Sequence, residues 1–187
     1  MDFLAVLWLP ILVATVVLWI LSFVAWVVSS HHFGDFKRLD AEDDIMDLLK
    51  QEQVPAGNYM FPYSGSKQEQ GSKEYAERYA QGPRGTLNIY DMPNMGLNMA
   101  LTILYFLVTV MTIAYITEVA CPIGDASNDF MRVFRFAGTV GVLTYASSPI
   151  LHRIWFKAKM WTDILDGAVY GTALGLIFAL LWSYPAA

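Results

Sequence analysis

FLAVLWLPILVATVVLWILSFVAWVV, residues 3–28, runs for 26 residues without one charged side chain. A helix needs about 20 apolar residues to cross the hydrocarbon core of a bilayer. The stretch therefore reads as a transmembrane span, and the rest of the chain is read around it. Three more uncharged runs follow: Met95–Ile116 with 22 residues, Phe136–Leu151 with 16 and Gly167–Ala186 with 20. The third is short, but Arg132 and Arg135 precede it and Arg153 follows it. Such side chains reach the interface while their stems stay in the membrane.

The expectation is an all-α membrane protein of four transmembrane helices: residues 1–30, then about 95–118, 132–152 and 163–184. A small α+β insertion, residues 31–94, lies between helices one and two. The first run lacks the marks of a signal peptide, having no basic leading region and no small-residue cleavage site, so it is expected to stay attached. Pro10 is expected to kink it, because proline removes a backbone donor and crowds the preceding turn.

Composition agrees. Charged residues make up 16% of the 187, against about 25% in soluble domains. The net charge of −5 excludes the clustered basic face that nucleic-acid binding needs. The lone Cys121 excludes an internal disulfide and a thiol-rich metal site.

Basic residues set the orientation. Lys37, Arg38, Lys50, Lys67, Lys73, Arg78 and Arg84 lie in the insertion, and Arg153, Lys157 and Lys159 lie between spans three and four. By the positive-inside rule both termini face out and residues 31–94 face the cytoplasm. Trp26, Trp155 and Trp161 then form the inner aromatic belt, with Trp182 and Tyr184 in the outer one.

Within the insertion, Leu39–Val54 reads as an amphipathic helix with Asp40 as its N-cap and Ile45, Leu48 and Leu49 on one face. Ser72–Gln81 reads as a second helix, capped by Ser72 and stopped by Gly82 and Pro83. Tyr59–Tyr63 and Thr86–Tyr90 are expected to pair as a two-stranded sheet. Ser64–Ser72 (SGSKQEQGS) reads as a mobile loop.

The stretches HHFGDFKRLDAEDDIMDLL (31–49), PAGNYMFPY (55–63), YAERYAQGPRGTL (75–87) and MGLNMALTILYFLV (95–108) carry a resemblance. The pattern HHxxDF…GxYxFPY…GPxG…MGxNM is similar to that of a group of small bacterial inner-membrane proteins with no known activity. The resemblance implies a bacterial cytoplasmic membrane and no particular chemistry.

Gly167, Gly171 and Gly175 share one face of span four, and their missing side chains let another helix approach closely. Either another span of this chain or a second protein fits that face. Interfacial ion pairs are expected between Glu118 and Arg132 or Arg135 on one side, and between Arg153, Lys157 or Lys159 and Asp163 or Asp166 on the other. No span carries an acid near mid-membrane, which argues against an ion path. Asn98, Thr102, Thr109 and Thr112 are expected to bond across helices or to their preceding turn.

His31, His32 and His152 fall at the cytoplasmic boundary and are weak candidates for a metal or haem iron. Adjacent histidines on a helix point about 100° apart, which disfavours chelation, and no metal site is assigned. No catalytic or cofactor motif occurs. Tyr59, Phe61, Tyr63, Tyr75, Tyr79 and Tyr90 exceed what so small a sheet can bury, and they mark a docking surface.

The reading is a non-catalytic accessory or scaffold subunit of a larger bacterial inner-membrane complex, in contact with the bilayer and with other membrane subunits. A small homo-oligomeric channel or transporter is the alternative, and a membrane metal or haem protein the second alternative.

Overall fold

The computed structural model describes residues 2–184, so the end of the apolar run at Ala186 lies outside the described residues. The chain divides into two compact units. One is helical and comprises the chain up to Lys37 and from Met95 onward; the other is Arg38–Asn94.

The helical unit opens with α1 (Asp2–Phe23), which continues through Pro10. Its departure from α geometry comes later, as a wide π turn over Val24–Val28. A 3₁₀ turn, His31–Asp35, follows. After the second unit come α5 (Met95–Ala120), α6 (Phe130–Ala146), α7 (Ser148–Phe156) and α8 (Trp161–Leu181). Phe3–Val28, α5 and α8 are the three helices long and apolar enough to cross a membrane.

These helices are apolar on every side, as spans are. On α1, Leu7, Ile11, Ala14 and Leu18 recur at helical spacing and are buried, while Trp8, Leu12 and Val16 on other faces are exposed. Phe106, Val110, Ile113 and Ala114 from α5, Val133 and Ala137 from α6, and Leu174 and Phe178 from α8 complete the core.

The expected helix 132–152 is two helices. The 17-residue α6 ends at Ala146, and α7 begins at Ser148 with Pro149 in its first turn. Proline cannot donate to a continuing ladder, and its ring would strike the carbonyl four residues back, that of Tyr145. Pro149 is the stop signal that the hydropathy of the run concealed.

The helix ends show the path. Phe3 and Tyr115 rings meet at 5.8 Å, pairing the start of α1 with the end of α5. Arg132 at the start of α6 donates to Ala120 O at the end of α5, 3.2 Å away. At the opposite end, Gly167 of α8 lies against Ala146 of α6. The α6 helix thus returns the chain from the end of α5 to the start of α8, packing along α8 more extensively than any other pair of elements packs.

That packing is backbone on backbone. A Cβ on Gly171 would come within 2.3 Å of Val142 N, and one on Gly175 within 2.8 Å of Gly138 Cα. In lipid such close approach substitutes for the missing hydrophobic drive between helices. Threonines spend their hydroxyls locally: Thr102 donates to Asn98 O and Thr112 to Val108 O, both at 2.8 Å. Thr109 also reaches the Tyr145 hydroxyl at 2.8 Å.

The second unit holds α2 (Glu42–Gln51), β1 (Gly57–Phe61), a single turn α3 (Lys67–Gln70), α4 (Lys73–Gln81) and β2 (Gly85–Ile89). The N-cap of α2 is Ala41, without a side-chain bond, and not Asp40. Ser72 caps α4, its oxygen accepting from Tyr75 N at 3.1 Å. The expected mobile loop contains α3, capped by Ser66 accepting from Glu69 N. The strands pair antiparallel with Tyr59 opposite Leu87 and Phe61 opposite Gly85. The pairing therefore covers Gly57–Phe61 and Gly85–Ile89, a shift from the expected Tyr59–Tyr63 and Thr86–Tyr90. The Phe61 ring lies over Gly85, where a Cβ would come within 2.7 Å of it.

Candidate functional site

Two features of the structure go beyond packing. The first is a His–Asp cluster where the chain leaves α1. The helix unwinds through the π turn, Ser29 is extended at φ −82°, ψ 157°, and the 3₁₀ turn then turns the chain back. Both histidines thereby come to face the first turns of α8. His31 Nε2 lies 3.0 Å from Asp166 Oδ1, and His32 Nε2 lies 3.0 Å from Asp166 Oδ2.

The other ring nitrogens are also engaged. His32 Nδ1 is 2.6 Å from Asp35 Oδ2, which accepts from Thr162 Oγ1 at 2.8 Å. His31 Nδ1 pairs with Ser29 Oγ. Trp26 stacks on His32 at 3.8 Å between ring centroids and 12° between planes. Lys159 Nζ donates to Gly34 O, tying the 3₁₀ turn to the approach of α8. His32 and Asp166 are both buried, at 5% and 8% exposure.

Burial opposes a charge on His32, but its bonds to Asp166 and Asp35 and their negative charge outweigh it and raise its pKa. Burial likewise opposes charge on Asp35, yet hydrogen bonds from His32 and Thr162 and the charges of His32 and Lys159 hold its pKa below the ordinary value. The two groups favour each other's ionised form.

This arrangement corrects two expectations. The objection that adjacent histidines diverge holds on a regular helix; here α1 has already ended, and the two rings, 4.2 Å apart, each take one oxygen of a single carboxylate. Asp166 pairs with the histidines and not with Arg153, Lys157 or Lys159. Arg153 instead donates to Lys157 O at 3.0 Å, at the end of α7. Asp163 makes no ion pair among the described residues and lines, with Asp166, Ser22, Trp26 and Tyr170, a cavity of about 330 Å³. His152 stands apart on α7, 5.2 Å from the Phe156 ring.

At the other end, no ion pair joins Glu118 to Arg132 or Arg135 among the described residues. Arg132 bonds Ser127 Oγ and Ala120 O. Asp35 and Asp166 are the residues that sequence reasoning missed as partners of the histidines. The HHxxD spacing was a signal for Asp35; nothing local marks Asp166, 134 residues away.

The second feature is the surface of Arg38–Asn94. Pro62 is the one buried residue of this unit, and neither α2 nor α4 buries any. Tyr59 and Tyr75 are half-buried, while Phe61, Tyr63, Tyr79 and Tyr90 are exposed. The Arg84 guanidinium sits 5.0 Å over the Tyr79 ring and bonds Tyr79 O at 2.7 Å, fixing that ring in place.

Comparison with protein-family models, curated proteins and solved structures finds no match to this chain.

Proposed function

We propose that the protein is a non-catalytic accessory subunit of a larger bacterial inner-membrane assembly, presenting Arg38–Asn94 on the cytoplasmic side as a docking module. One observation carries the reading: the module buries a single residue, Pro62, and leaves Phe61, Tyr63, Tyr79 and Tyr90 exposed. A two-stranded sheet with so little core is marginal alone, and aromatic rings held in place at a surface are what partner interfaces recruit.

The membrane part of the proposal has four crossings. Its support is that α6 runs between the end of α5 and the start of α8, which lie at opposite ends of the bundle. At 17 residues the helix is about 25 Å long, against about 30 Å of hydrocarbon, and Arg132 and Arg135 lie at its first turns to meet the interface. The orientation rests on the basic residues, and the bacterial membrane rests on the resemblance of residues 31–108.

The test is mass spectrometry of the protein extracted from native membranes in a mild detergent at native expression. The expected result is a second polypeptide in fixed ratio, released by Tyr63→Ser combined with Tyr79→Ser. A monodisperse homo-oligomer with no other polypeptide would overturn the docking reading and turn attention to flux through a pore between copies.

A further inference from the structure

We infer that His31, His32 and Asp166 form a binding site for a divalent transition-metal ion of zinc-like chemistry. Two imidazole nitrogens and a carboxylate converge there, and the three ligand atoms all lie within 4.8 Å of one another. Zinc sits roughly 2.0–2.2 Å from nitrogen and carboxylate ligands. Tetrahedral geometry then spaces ligand atoms by about 3.4 Å. Asp166 already stands 3.0 Å from each imidazole, on a different oxygen for each, and no separation in the set of three ligand atoms exceeds 4.8 Å.

An independent observation concerns the far side of each ring. Metal-binding histidines give their other N–H to a carboxylate or another acceptor, which fixes tautomer and ring orientation. His32 Nδ1 is bound to Asp35, itself held by Thr162, and His31 Nδ1 is bound to Ser29. With those partners on Nδ1, both Nε2 atoms are turned toward the Asp166 carboxylate. A single divalent ion meets all three ligands at once.

The ligand types narrow the ion. Calcium and magnesium take oxygen ligands, whereas imidazole suits zinc and neighbouring first-row ions. The cavity of about 330 Å³ borders Asp166, and Tyr170 and Asp163 line its wall. Three protein ligands beside such a space leave the ion a fourth position for water or an added ligand, unlike a closed four-ligand structural site.

The experiment titrates the full-length protein in detergent with Co²⁺ alone, followed by visible absorption, and with Zn²⁺ in competition. One equivalent per chain with tetrahedral-type cobalt bands, displaced by zinc, is expected. Asp35→Asn, which leaves the ligands in place, weakens binding roughly 10- to 100-fold. Asp166→Asn and His32→Gln weaken it further, and His152→Gln leaves it unchanged. Should the ligand variants misfold, the melting temperature of the wild-type protein decides: it rises with added Zn²⁺ and not with added Mg²⁺. Absence of the cobalt bands, an unshifted melt with zinc, or full binding retained by folded Asp166→Asn would each overturn the site.

Discussion

Cys121 has no exposed surface, and its thiol neighbours Arg132. Burial pushes its pKa up; the arginine pulls the other way, and Asp125 and Asp129 add to the rise. Since the thiolate is the nucleophile, a raised pKa leaves less of it at neutral pH. Iodoacetamide should therefore modify Cys121 much more slowly in the folded protein than after denaturation, with a rate still climbing above the pH at which a free thiol levels off. Equal rates in both states would mean that the thiol is open to solvent. The residues of the His–Asp cluster were legible in a different measure. The sequence placed His31 and His32 at the membrane boundary, but the two carboxylates that use them depend on where α1 unwinds and on how α8 docks. Asp166 follows Arg153, Lys157 and Lys159 in the sequence, and proximity along the chain is the only distance a sequence contains. In the folded chain the histidines are closer.

Among the elements, α6 and α8 depend most on the absence of side chains. Gly171→Val would bring a Cβ within 2.3 Å of Val142 N and 2.6 Å of its Cγ2, and backbone cannot give way as a flexible side chain does. Overpacking costs about 1–3 kcal/mol in ordinary cores, and this contact is tighter than most. The expected outcome is a lower melting temperature and a shorter life in detergent. Thr172→Val, at an exposed neighbour whose hydroxyl only returns to Ala168 O, should change stability by no more than about 0.5 kcal/mol. If both variants melt alike, the glycine face is not what joins the helices. In the soluble unit, Ser72→Ala removes the bond to Tyr75 N and should cost about 1 kcal/mol. Loss of protease resistance across Lys73–Gln81 would register it. The cap was readable because Ser72 and Gly82 bracket a short polar helix by local chemistry alone. The α6–α7 break has an equally local signal, since Pro149 stands inside the run, but the hydropathy of the run does not register it. The strand bounds differ from the expected ones because Gly57 and Gly85, poor strand residues by composition, both join the ladder, Gly85 beneath the Phe61 ring.

For the whole molecule the number of crossings has a direct readout. Three long apolar helices were legible because hydropathy over such lengths needs no tertiary information. The fourth crossing proposed above rests on tertiary contacts: α6 is short and carries Arg132 and Arg135, but it packs along α8 and joins opposite ends of the bundle. Three crossings would place the termini on opposite sides of the membrane; four place them on the same side. Reporters active only in the cytoplasm or only outside it, fused in turn to each terminus and inserted at the exposed Gln68 of α3, separate the cases. Both termini outside and Gln68 inside is the expected pattern. Termini on opposite sides would mean that α6 does not cross. All three signals inverted would keep the four crossings, reverse the orientation read from the basic residues, and move the Arg38–Asn94 surface, with any partner it recruits, out of the cytoplasm.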